Sequence, residues 1–152
     1  MSRFGKLAGT CLALIFCGTA MAEQVFRHGE FEVHYVVLPT TFLKPSISQD
    51  YAIGRARNLA MVNISLIDKT GSAVKCEVKG QAINLLGQTK NLNFRTVTED
   101  KAIYHIAELR HDNEEMMRFK LEISGEFRKI IAVEFEQKLY WEEEYANRHR
   151  KQ

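Results

Sequence analysis

The chain has 152 residues, 45% of them apolar and 26% charged, with 21 basic residues against 19 acidic ones. That is the composition of a globular protein, and it excludes a disordered or fibrous chain. The near-balance of charge excludes an electrostatic case for nucleic acid or anionic membrane as partner.

The amino terminus carries a leader pattern. Arg3 and Lys6 precede an apolar run from Leu7 to Phe16, and small residues follow through Ala20-Met21-Ala22. This order predicts a cleaved secretory signal peptide over residues 1–22, cut between Ala22 and Glu23. The apolar run is about half a membrane span, so no stable membrane insertion is expected after cleavage. Phe16 rather than a small residue precedes Cys17, so a soluble exported protein, periplasmic in location, is expected instead of a lipoprotein. Cleavage removes Cys11, Cys17 and two basic residues. The remaining chain is neutral, keeps one cysteine (Cys76), and is not held by an internal disulfide.

Residues 23–38 predict a short strand broken at Gly29, then a long one in which Phe31, Val33, Tyr35 and Val37 alternate with Glu32 and His34. The alternation fades at Val36-Val37-Leu38, which implies burial on both faces there. Pro39 ends the strand. In the stretch 40–50, Pro45 fits the first turn of a short helix reaching about Tyr51. Phe42 and Leu43 are expected to plug one end of the core. The length of this connection suggests that it crosses from one sheet to the other, as in Greek-key sandwiches.

The stretch from Leu59 to Asp68 is the central strand, with Val62, Ile64 and Leu66 on one face and Met61, Asn63, Ser65 and Ile67 on the other. Turn residues at 68–72 and the alternation of Val74, Cys76 and Val78 with Lys75, Glu77 and Lys79 predict a hairpin over 59–79. Cys76 reads as a small buried apolar residue rather than a reactive thiol. Further strands are expected at 82–86, 92–97, 103–109, 117–124 and 129–141, separated by turns. The sum is an all-β fold: a seven- to eight-stranded antiparallel β-sandwich over 23–141, followed by a charged tail over 142–152.

Motifs for chemistry are scarce. The histidines at 28, 34, 105, 111 and 149 lack metal-ligand spacing and read as surface residues, so no metal and no cofactor are expected. No nucleophile elbow, phosphate loop or dinucleotide fingerprint occurs, and no catalytic residue is assigned. Asn63-Ile64-Ser65 matches a glycosylation sequon but lies in the central strand, and is read as coincidental. One cluster stands out: Tyr51, Arg55 and Arg57, just before the central strand. Two arginines flanking Ala56 form a candidate anion clamp, because guanidinium groups bind carboxylate or phosphate bidentately. The alternative is that Arg55 satisfies carbonyls or a carboxylate within the fold.

Thr41-Phe42-Leu43 with Pro45, Tyr51-Ala52-Ile53-Gly54-Arg55, Val62-Asn63-Ile64-Ser65-Leu66 and the ending Phe135-Glu136-Gln137-Lys138-Leu139-Tyr140 together resemble an uncharacterised exported family of gammaproteobacteria, catalogued as a domain of unknown function. The family has Arg-Ser where this chain has Arg55-Ala56, so no role of that serine carries over. The resemblance implies an immunoglobulin-like sandwich and a periplasmic location, and no activity. Three functional readings follow. The first is a binding or adaptor module for an envelope protein, peptide or other envelope component. The second is a small-anion binder or enzyme using Tyr51, Arg55 and Arg57. The third is a structural homo-oligomer.

Overall fold

The computed structural model describes residues 23–141; the expected leader, with Ala22, and the expected tail lie outside them. The fold is the expected antiparallel β-sandwich, with nine strands rather than seven or eight. They are β1 (Gln24–His28), β2 (Phe31–Pro39), β3 (Leu59–Asp68), β4 (Glu77–Asn84), β5 (Thr89–Leu92), β6 (Arg95–Glu99), β7 (Ala102–Arg110), β8 (Glu115–Ser124) and β9 (Ile131–Leu139). One sheet has the order β1-β2-β3-β7-β6 and the other β5-β4-β8-β9.

Period-2 patterning forms both layers. Val33 and Val37 of β2, Val62, Ile64 and Leu66 of β3, and Ala107 and Leu109 of β7 face the second sheet. They meet Val78 and Ala82 of β4, Met117, Phe119, Leu121 and Ile123 of β8, and Ile131, Val133 and Leu139 of β9. Stacked rings link the layers: Tyr35 lies 4.2 Å from Phe135, which lies 4.7 Å from Phe119.

The connection after β2 departs from expectation. It does not cross between sheets, because β2 and β3 are hydrogen-bonded neighbours, pairing from Phe31↔Asp68 to Pro39↔Ala60. A 3-10 turn (Thr40–Phe42) and α1 (Pro45–Asp50) instead fold back over the outer face of the same sheet. There Leu43 and Ile53 bury Val36, Leu38, Met61 and Ile106 in a second core. This explains the two-faced burial of Val36-Val37-Leu38. Leu43 therefore fills the sheet's outer surface and does not plug the end of the inter-sheet core.

The hairpin expected over 59–79 is only a stub. Ile67 bridges Ala73 and the Val74 amide donates to the Leu66 carbonyl, but the chain then leaves for the other sheet. The edge it would need is already taken, since β3 pairs with β7 from Leu59↔Arg110 to Ile64↔His105. β4 also runs on through Gly80, and Leu85 and Leu86 fall in an exposed turn instead of a strand. The single strand expected at 92–97 is two: β5 ends at Leu92, and β6 starts at Arg95 in the opposite sheet.

Candidate functional site

Tyr51, Arg55 and Arg57 all lie in the connection over the outer face, but their side chains reach three different partners. The Tyr51 hydroxyl donates to Glu99 Oε1 on β6. Arg55 Nη2 donates to the Thr41 carbonyl at 3.0 Å, so it reaches back to the 40–50 segment while remaining exposed. The Arg57 guanidinium sits 4.5 Å above the Trp141 ring. Thr40 closes the base of the loop: its hydroxyl donates to the Ala56 carbonyl at 3.3 Å and accepts from the Ala56 amide at 3.2 Å.

The outer face of the five-stranded sheet is covered over one half only. The uncovered half is an open depression of about 870 Å³ whose floor includes His34, Ser65, Ile67, Ala102 and Tyr104. Glu23, Glu32, Asp100 and Lys101 stand around it. None of the three clustered residues lines it. Its floor is fixed by hydrogen bonds, for the Ser65 hydroxyl donates to the Ile103 carbonyl at 2.9 Å. His34 lies 3.3 Å from both Glu23 and Glu32. Arg27 and then His34 hold the Glu32 carboxyl below its ordinary range.

Two histidines read as surface residues are buried. His105 faces inward on β7, with Nε2 3.2 Å from Cys76 Sγ and Nδ1 3.2 Å from Thr96 Oγ1. Cys76 is half-buried, and burial pushes its thiol up to about 11. His111 is 3% exposed; its Nδ1 lies 2.8 Å from the Asp112 carbonyl and its Nε2 has no partner among the described residues. Isolated in a loop of charged residues, His111 gave no sequence signal for burial. For His105 the signal was the parity it shares with Ile103, Ala107 and Leu109, in alternation with Tyr104, Ile106 and Glu108.

The sheet edges differ in how they end. Three edge strands are short: β1 and β6 have five residues and β5 has four. The connection ties β6 down through Tyr51 to Glu99 and through Arg95 to the Ala52 carbonyl. The remaining edge, β9, has nine residues, contains no proline, and pairs only with β8, from Glu115↔Leu139 to Ile123↔Ile131. Its other side carries no strand among the described residues. Its outward face reads Ala132, Glu134, Glu136 and Lys138. Glu136 pairs with Arg118 at 2.9 Å and Glu134 with Lys120 at 3.6 Å, so a basic stripe on β8 lies beside an acidic stripe on β9.

Among the described residues, the geometry defines an all-β, two-sheet sandwich with one long unpaired edge and a half-covered outer face. Comparison with known proteins adds the family. The chain belongs to the DUF4426 family, a domain of unknown function whose model matches residues 25–142. A DUF4426 family protein of Pseudomonas aeruginosa PAO1 is 27% identical, with a TM-score of 0.73, covering 82% of this chain and 99% of that one. FetP of uropathogenic Escherichia coli strain F11 is 12% identical with a TM-score of 0.58, covering 79% and 95% of the two chains. A copper-bound variant of FetP gives 11%, 0.57, 79% and 96%. At these identities the likeness to FetP shows the fold alone. No curated protein matches. Among the described residues no helix is long and apolar enough to cross a membrane.

Proposed function

We propose that the protein is a periplasmic binding module that takes an extended segment of an envelope protein or peptide as an added strand along β9. The observation that supports this reading is the nine-residue edge of β9, whose outer backbone groups have no strand to pair with among the described residues. Unpaired edges are templates for strand addition, in which main-chain hydrogen bonds supply affinity and alternate side chains supply specificity. The compartment rests on the leader pattern at 1–22. It agrees with a FetP relative that was produced in the periplasm of Escherichia coli.

Photo-crosslinking in cells tests the reading. A crosslinking residue at Ala132 or Lys138 should yield a discrete adduct, whereas the same residue at Lys79, on an interior strand, should not. The crosslinked protein should begin at Glu23 by mass spectrometry. Adducts absent from β9, or intact Met1 on the bulk of the protein, would overturn the edge and the compartment respectively.

A further inference from the structure

The two layers are unequal, five strands against four. Tyr35 of β2 stacks on Phe135 of β9, and Gln137 Nε2 of β9 donates to the Val37 carbonyl of β2 at 3.0 Å. β9 therefore lies over β2, and β1, the next strand outward, overhangs with no strand of the second sheet above it among the described residues. Its inward face can be read from register. Phe26 pairs with Val33, Gln24 with Tyr35 and His28 with Phe31, and directly paired residues share a face. Val33 is fully buried in the core, so Phe26 points the same way. Phe26 nevertheless stays half-buried, and its ring lies 6.4 Å from that of His28. Among the described residues, a position for one strand is thus left open, bounded by the edge of β9 on one side and by Phe26 below.

We infer that this position accepts a strand in which apolar residues alternate with lysine or arginine; the inference rests on the strand-addition reading above. Residues of the incoming strand that point inward would lie over Phe26 and beside Val133 and Phe135, which favours aliphatic or aromatic side chains. Residues that point outward would stand beside Glu134 and Glu136. The basic stripe of β8 and the acidic stripe of β9 set an alternation that a cationic stripe continues. The same acids disfavour a second copy that pairs over the full length of β9. Antiparallel self-pairing centred on Phe135 would set Glu134 of each copy against Glu136 of the other, and like charges opposite one another are destabilising.

The probes are two nine-residue peptides, one alternating valine with lysine and one alternating valine with glutamate. They are titrated against the mature chain while amide exchange is followed. The lysine peptide should bind about tenfold more tightly than the glutamate peptide, from two favourable pairs replacing two repulsive ones, and should protect the amides of residues 131–139. Glu134→Gln/Glu136→Gln should abolish that preference, and Phe26→Ala should weaken both peptides equally; urea unfolding confirms that each variant is folded. Equal binding and equal β9 protection by both peptides would overturn the alternating-charge inference and leave strand addition standing. No protection of β9 by either peptide would overturn both.

Discussion

At the level of single residues, the connection between β2 and β3 shows how a conspicuous pair of arginines can have local partners. Arg55 holds one main-chain carbonyl, Thr41, and Arg57 covers one aromatic ring, Trp141. Both side chains are exposed, so neither leaves a buried charge or a buried acceptor behind when removed. A solvent-exposed hydrogen bond and an exposed cation–π contact are each worth on the order of 1 kcal/mol or less. Arg55→Ala and Arg57→Ala should therefore each lower stability by less than about 1 kcal/mol in urea unfolding. A loss of several kcal/mol for Arg55→Ala would show that it supports the loop more deeply than its one hydrogen bond allows. The bend of this loop falls at Ala52, which takes a positive φ of 49°, while Gly54 serves closeness: its amide donates to Glu108, and a Cβ would stand 3.0 Å from Leu59 Cδ2.

At the level of elements, strand existence was legible and strand partnership was not. The alternations in β2, β3, β7, β8 and β9 stand in the sequence because each strand buries one face. Whether the next segment pairs with its predecessor depends on which edges are already occupied, and that is a property of the whole sheet. β3 is flanked by β2 and β7, so the segment after it had to leave. The open edge of β9 escaped the sequence for the same reason, whereas its alternation of Glu134 and Glu136 with Val133 and Phe135 was visible. The β5–β6 break was hidden because Leu92, Phe94 and Thr96 keep one parity across a change of sheet. Gly80 marks another element-level constraint. A Cβ there would lie 2.4 Å from Leu121 Cδ2 and 2.9 Å from the Lys120 carbonyl, within the β4–β8 pair. Leu121 is 1% exposed and the carbonyl is main chain, so neither has room to yield. Gly80→Ala should destabilise the protein by about 1–3 kcal/mol through overpacking. A wild-type urea midpoint for Gly80→Ala would contradict this approach of β4 to β8.

For the whole molecule, the buried titratable groups set a window of pH in which the sandwich is most stable. Burial lowers His105 and His111 from the ordinary 6.5; for His111 the Asp112 carbonyl and Glu115 oppose that shift and Lys90 reinforces it. The folded protein thus resists the protons that the unfolded chain takes up, so stability falls as the pH drops below about 6.5 through the depressed folded values. The slope is at most about 1.4 kcal/mol per pH unit for each histidine. Burial alone would raise Glu115, but hydrogen bonds from Asn84, the Asp112 amide and Lys90 outweigh it and hold it below 4.5. Its contribution is present above the carboxylate range and is lost only at lower pH. On the alkaline side the sign reverses. Cys76 is raised from 9.0 to about 11, and Tyr35 is raised above 10.0, both by burial. The unfolded chain loses those protons first, so stability is intact below about 9 and is lost as the pH rises through about 11. Urea midpoints should accordingly peak near pH 8 and decline at both pH 5.5 and pH 10.5. Cys76→Ala should flatten the alkaline decline, leaving the part due to Tyr35, and should leave an acid decline that His105 and His111 still produce. A midpoint constant from pH 5.5 to 10.5 would mean that these groups titrate alike in the folded and unfolded chains, and that the interior between β7 and the start of β4 is wetter than the burial of His105 requires.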